Sequence, residues 1–334
     1  MQQRKLGPFT VSAIGLGCMN VSMGYGPRID DDAAGKLFNA ALDQGYTFLD
    51  TASLYGLGHN EDLIGKYLSS RRDQYVLASK CGFSRTDEGK TIIDGRPEVL
   101  LQTCEDSLRR LNTDVIDLYY LHRIDPKVPV EDSVGALGQL VEQGKIRTIG
   151  LSEISADSLR RAHAVHPITA VQSEYSLWSR TPERKVLGAC ADLGITVVPC
   201  SPLASQFLTG KSPVVTAGRD DDIRATIARP RFEPENFAQN QKLLVPFGEI
   251  AARQGCSMAQ LALAWLLAQG DNIIPIPGTK HMEWMIENAG AGDIELDADT
   301  VAELDALINE DTVAGHRYTD ALMASTDSEK DWPR

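Results

Sequence analysis

Apolar and polar positions along the chain follow two rhythms. Short runs of four to six residues, rich in β-branched and aromatic side chains, recur at 14–18, 47–50, 75–79, 116–121, 146–151, 170–173, 196–199 and 273–276. Their length and composition read as strands. Between them, stretches such as 32–44, 96–111, 130–143, 155–165 and 181–193 place apolar residues at helical spacing. Gly45, Gly144 and Gly194 stand just past three of these, where a helix end commonly needs left-handed backbone. Eight strands alternating with helices predict parallel pairing through right-handed crossovers. Eight such units in about 300 residues predict an α/β fold, a closed (β/α)8 TIM barrel, as a single domain over 1–334. Residues 4–11 read as an N-terminal hairpin closing the barrel bottom.

Two stretches break the rhythm. Residues 204–240 are rich in Pro and charge, including Asp220, Asp221 and Asp222, and 312–334 is polar and irregular. Both are expected to project near one end of the barrel, as a mobile loop and tail or as a pocket wall.

Composition narrows the partners. With 33 Lys+Arg against 46 Asp+Glu, the formal net charge is −13, which argues against nucleic acid or an anionic membrane surface. The longest apolar run, 261–268, is far short of the roughly 20 residues of a membrane span. The start, MQQRKLGPFTVSAIGLGCM, lacks an apolar signal region, so a soluble, cytoplasmic protein is expected. The six cysteines include no C-x-x-C pair and read as reduced structural thiols. His163 and His166 have a metal-like spacing but no third ligand nearby, and no metal is expected.

In such a barrel the working residues sit at the C-terminal strand ends. Those ends carry Asp50, Lys80, His122, Ser152, Gln172, Ser201 and the run Gly278, Thr279, Lys280, and Tyr55 follows Asp50 by five residues. A buried Asp and Lys need each other. An ammonium beside the phenol would pull the Tyr55 pKa below about 10 and make it a proton donor. Taken alone, the same residues also describe an ion pair bracing the barrel mouth.

DTASLYG, LASK and YYLH on successive strands, with GKIRTIGLSE, VQSEYSLWSR, SPL, FLTG and IPIPGT, resemble the aldo-keto reductase family over roughly 4–311, closest to the bacterial and plant subgroup with GLSE after the fifth strand. The resemblance implies NADPH-dependent reduction of a small aldehyde or ketone. Tyr55 would be the general acid, tuned by Asp50 and Lys80, with His122 orienting the carbonyl. It also implies a nicotinamide cofactor held without a Rossmann domain, which suits the incomplete glycine patterns at 15–17 and 56–58. The implied cofactor residues are Met19, Asp50, Ser152, Gln172, Cys200, Ser201, Pro202, Leu203, Gly278, Thr279, Lys280, Trp284, Glu287 and Asn288.

Three stretches on the implied cofactor path depart from the family pattern. Cys200 stands where an aromatic ring usually stacks on the nicotinamide. Ala204, Ser205 and Gln206 replace a G-R-G run, removing an Arg. Trp284 replaces an Arg that meets the 2′-phosphate, which leaves Lys280 as the remaining cation. NADPH is still expected, with NADH use as the alternative. A mixed substrate pocket is expected from Tyr25, Phe83, Arg123 and Trp178, favouring oxygenated carbonyls if Arg123 faces substrate instead of pairing with Asp125. The competing functions are a cofactor-sensing or partner-binding subunit on the same barrel, and a Schiff-base aldolase using Lys80.

Overall fold

A computed structural model describes residues 1–212 and 219–331. Parts of the expected loop (213–218) and tail (332–334) therefore lie outside the described residues. The chain opens with an antiparallel hairpin, β1 (Gln3–Leu6) and β2 (Phe9–Ser12). Strands β3 (Leu16–Gly17), β4 (Phe48–Asp50) and β5 (Val76–Cys81) follow, then a second hairpin, β6 (Phe83–Arg85) and β7 (Thr91–Ile93). After it come β8 (Ile116–Leu121), β9 (Ile146–Ser152), β10 (Ile168–Glu174) and β11 (Thr196–Cys200). Apart from the two hairpins the strands form one parallel sheet in sequence order, β3-β4-β5-β8-β9-β10-β11. The intervening helices are α1 (Asp31–Asp43), α2 (His59–Leu68), α3 (Pro97–Leu111), α4 (Val130–Glu142), α5 (Ala156–Val165) and α6 (Val186–Leu193).

The expected eighth strand closes the barrel without forming a regular ladder. The amides of Ile274 and Ile276 donate to Val197 and Pro199 on one side. On the other, Gly15 and Gly17 donate to the carbonyls of Pro275 and Pro277. Proline has no N–H to return, so Pro275 and Pro277 cannot donate to β3, and Pro199 cannot donate back from β11, which leaves the ladder incomplete on both flanks. The result is a (β/α)8 barrel with one irregular stave.

Two layers of core follow from the alternation of strand side chains. Phe48, Ala78, Leu118, Tyr120, Ala170, Val198, Ile274 and Ile276 fill the interior, and Leu6 and Val11 of the hairpin plug its N-terminal end. Gly150 leaves room for the Tyr120 ring: a Cβ there would lie 2.3 Å from Tyr120 Cδ1. The opposite strand faces pack on the helices in a larger cluster that includes Ile149, Leu151, Leu137 and Leu159. Helix starts carry local signals: Asp30 caps α1 through the amides of Asp32 and Ala33, and Ser257 with Gln260 forms a capping box.

After β11 the chain builds α7 (Arg229–Phe232), α8 (Pro234–Arg253), α9 (Met258–Ala268), α10 (Met282–Gly290), α11 (Ala298–Leu307) and α12 (Asp320–Ser325). The described parts of 204–240 and 312–331 dock at the C-terminal mouth. The Gly24 carbonyl accepts from Ile223 N, and the Ile227 carbonyl from Thr319 N. Asp327 holds Ser155, the N-cap of α5, accepting from its N and Oγ, both at 2.8 Å.

Candidate active site

Parallel register sets the catalytic side chains at one level. Gly17 pairs with Asp50, Lys80 with Tyr120, and Gln172 with Ser152. Tyr55 leaves the strand level on a turn bent back by positive φ at Gly56, Leu57 and Gly58. Ser53 pins that loop to β5, its Oγ donating to the Lys80 carbonyl at 2.8 Å.

Lys80, wholly buried, donates from Nζ to the Asp50 carboxylate, to the Thr51 carbonyl at 2.8 Å and to the Tyr55 hydroxyl at 3.2 Å. The other oxygen of Asp50 accepts from Gln172 Nε2 at 2.7 Å. Burial opposes the Lys80 ammonium, but Asp50 and Tyr55 outweigh it and hold its pKa above the ordinary value. The Tyr55 pKa moves opposite to expectation: burial raises it, and Lys80 offsets only part of the rise. The phenol therefore stays protonated over the neutral range.

His122 meets the Tyr55 ring edge-on at 5.8 Å. Burial, then the charges of Arg123 and Lys80, push its pKa well down, so the imidazole is neutral. Its Nδ1 has no hydrogen-bond partner among the described residues.

These groups open onto a cavity of about 480 Å³ running from Asp50 and Tyr55, past Ser201 and Leu203, to Trp284 and Asn288. Every expected site residue lines it except Lys80, which lies behind its wall, and Phe83, whose ring instead meets His122 edge-on at 5.1 Å. Trp178 stacks on Phe207 at 3.9 Å and builds the aromatic side of the cavity.

At the far end Lys280 is spoken for. Its Nζ donates to the carbonyls of Tyr25 and Pro27, both at 3.1 Å. The cation over Trp284 is Lys211, 5.9 Å from the ring centroid, with His281 beside the ring at 4.1 Å. Lys280 is thus not the sole cation there, and helix α10 starts just after it, at Met282. Arg224 approaches the 204–206 turn in place of the missing Arg, paired with Asp222 and donating to Gln206 at 2.9 Å.

Arg123 is not bonded to Asp125, whose oxygens accept from the amides of Gly95 and Lys127. Its Nη1 donates to the His122 carbonyl at 2.7 Å and to Ser152 Oγ at 3.3 Å. Sequence reasoning missed Lys211, Arg224, Arg231, Arg317 and Tyr318, all on the cavity wall. Only Lys211, next to FLTG, carried a local signal.

Residues 13–309 match the model of the Aldo/keto reductase family. This chain belongs to the aldo-keto reductase family. It is an NAD(P)H-dependent oxidoreductase of that family. It is 40% identical to "Probable aldo-keto reductase 1" of Glycine max over 325 residues, 96% of this chain and 93% of that one. Its fold is similar to that of the glycerol dehydrogenase AKR11B4 from Gluconobacter oxydans, with TM-score 0.82 and 29% identity over 91% of this chain and 94% of that one. It is also similar to an aldo/keto reductase from Klebsiella pneumoniae solved with NADP and acetate, with TM-score 0.70 and 27% identity over 93% and 95% of the two chains. Among the described residues no helix is long and apolar enough to cross a membrane, and no group of three or more His, Cys, Asp or Glu could hold a metal.

Proposed function

We propose that this protein reduces an aldehyde or ketone to the alcohol with NADPH, with Tyr55 as general acid. The observation that carries the reading is the Lys80 ammonium joined to both Asp50 and the Tyr55 hydroxyl behind the cavity wall. The cavity suits the cofactor: it is continuous, with the hydroxyl of Ser152 and the amide of Gln172 at one end and Lys211 at the other. Ser152 and Gln172 would hold the carboxamide, the turn from Ser201 to Leu203 the pyrophosphate, and Trp284 with Lys211 the adenosine phosphate. When bound, NADPH supplies the hydride.

The protein's own groups handle the proton. Tyr55, kept protonated by burial, donates its hydroxyl hydrogen to the carbonyl oxygen as that oxygen gains charge. Lys80 stabilises the phenolate left behind, and Asp50 keeps Lys80 charged and oriented. Neutral His122 offers one N–H toward the same oxygen, which polarises the carbonyl without adding a second acid. Trp284 stands where the resemblance implies an Arg on the 2′-phosphate, so NADH use is the alternative cofactor reading. Six free thiols fit a reducing, cytoplasmic setting.

An aldolase reading is disfavoured by the same geometry. A Lys80 held protonated by Asp50 has no lone pair for attack on a carbonyl. Following NADPH oxidation with a panel of carbonyl compounds tests the proposal. No carbonyl-dependent oxidation, together with borohydride trapping of a carbonyl on Lys80, would replace it with the aldolase.

A further inference from the structure

Arg123 is the one arginine on the cavity wall that, among the described residues, has no carboxylate partner. Arg224 is paired with Asp222, Arg317 with Glu153 and Glu329, and Arg231 lies 3.6 Å from Glu174. Glu153 feels the charge of Arg123, but both its oxygens are already bonded to Arg317. The Arg123 guanidinium is partly exposed to the cavity. Nη1 is its one nitrogen in hydrogen bonds, and these fix it to the His122 carbonyl and Ser152 Oγ. The Nε and Nη2 hydrogens are left as an unused donor edge. A guanidinium presents such an edge as a fork that matches a carboxylate.

Place and charge agree. Arg123 directly follows the histidine that faces the reacting carbonyl, and its bond to the His122 carbonyl keeps the guanidinium close to that centre. A carboxylate there would give a partner to the one wall arginine that lacks one and relieve the electrostatic load on His122. A hydrophobic group would leave that cation desolvated without a partner. Resting on the carbonyl-reductase reading above, we propose that the preferred substrates are carbonyl compounds with a carboxylate on the adjacent carbon, 2-oxo acids, and that Arg123 reads that carboxylate.

Benzoylformate and acetophenone form a matched pair, since both are phenyl ketones and differ in carboxylate against methyl. The ratio of their kcat/KM values, with NADPH, should fall at least about ten-fold in Arg123→Met, the equivalent of one charge-assisted contact. The fall should lie mainly in KM, and Arg123→Lys should restore part of it. A role confined to bracing His122 and Ser152 would lower both substrates alike and leave the ratio in place, which overturns the inference. Binding gives a second readout: in calorimetry with NADP⁺ present, wild-type protein should bind mandelate more tightly than 1-phenylethanol, and Arg123→Lys should keep part of that preference. Equal binding of the two by the wild type overturns the inference, even when no carbonyl compound supports NADPH oxidation. That last result is separate and overturns the reductase reading itself.

Discussion

Neutralising Glu153 should remove most of the acid sensitivity of the pocket wall. This carboxylate is 1% exposed and accepts from Arg317 Nη1 at 3.1 Å and Nη2 at 2.7 Å, from Ser328 Oγ at 2.6 Å and from the Glu174 amide at 2.7 Å. Burial alone would raise its pKa, but the Arg317 guanidinium prevails and brings it from 4.5 down to about 2. A drop of that size corresponds to on the order of 3 kcal/mol, at 1.36 kcal/mol per unit. The folded pKa lies below the unfolded one, so this stability is complete above about pH 5 and is lost as the pH falls toward about 2. Urea unfolding followed by circular dichroism, at a series of pH values from neutral to about 3, measures it. Wild type should lose stability across that window, and Glu153→Gln should show a shallower loss. Near neutral pH the variant should be less stable by about 3–5 kcal/mol, because Arg317 keeps its charge without its main partner. Identical acid slopes in the two proteins would refute the assignment.

Tyr55→Phe should lower kcat for carbonyl reduction by about 10²–10⁴-fold while the dissociation constant for NADPH, read by fluorescence quenching, holds. Retained turnover would remove Tyr55 from the acid role. Lys211→Ala should weaken NADPH about ten-fold more than NADH, whereas Lys280→Ala should weaken both alike, because the Lys280 ammonium braces the carbonyls of Tyr25 and Pro27. The reverse pattern in the same titration would return the phosphate to Lys280. Gly150→Ala should destabilise the barrel by about 1–3 kcal/mol through overpacking against Tyr120, seen as a lower Tm; an unchanged Tm would show that the interior gives way there.

Much of the barrel and its ring of strand-end side chains was legible because both follow from local patterning. A strand run ending in Asp, Lys or His announces a polar group at the mouth, and Asp50, Lys80, His122 and Gln172 all stand where their strands end. The irregular half was less readable. Arg224, Arg231 and Arg317 reach the cavity from segments without strand or helix periodicity, and the last two depend on partners, Glu174 and Glu153, that are distant in sequence. The direction of the Tyr55 pKa was misjudged for a related reason. Sequence shows the neighbouring ammonium but not how completely the phenol is desolvated, and here burial prevails. Lys280 was legible as a cation near Trp284; that its ammonium also holds the carbonyls of Tyr25 and Pro27 was not.

The proline-bearing stave has a consequence for how the chain reaches this state. Residues 273–278 join β11 to β3, and their bonds to Gly15 and Gly17 close a loop that spans most of the chain, with a correspondingly high chain-entropy cost. Until they dock, β3 and β11 are open edges with unpaired backbone groups, the kind of surface on which chains associate wrongly. Pro275 and Pro277 cannot donate on the β3 side, so the incoming segment is a poor template for a foreign strand on that flank. The same two residues that weaken the native seam thus keep their own segment from pairing with a foreign strand on that flank before the barrel closes.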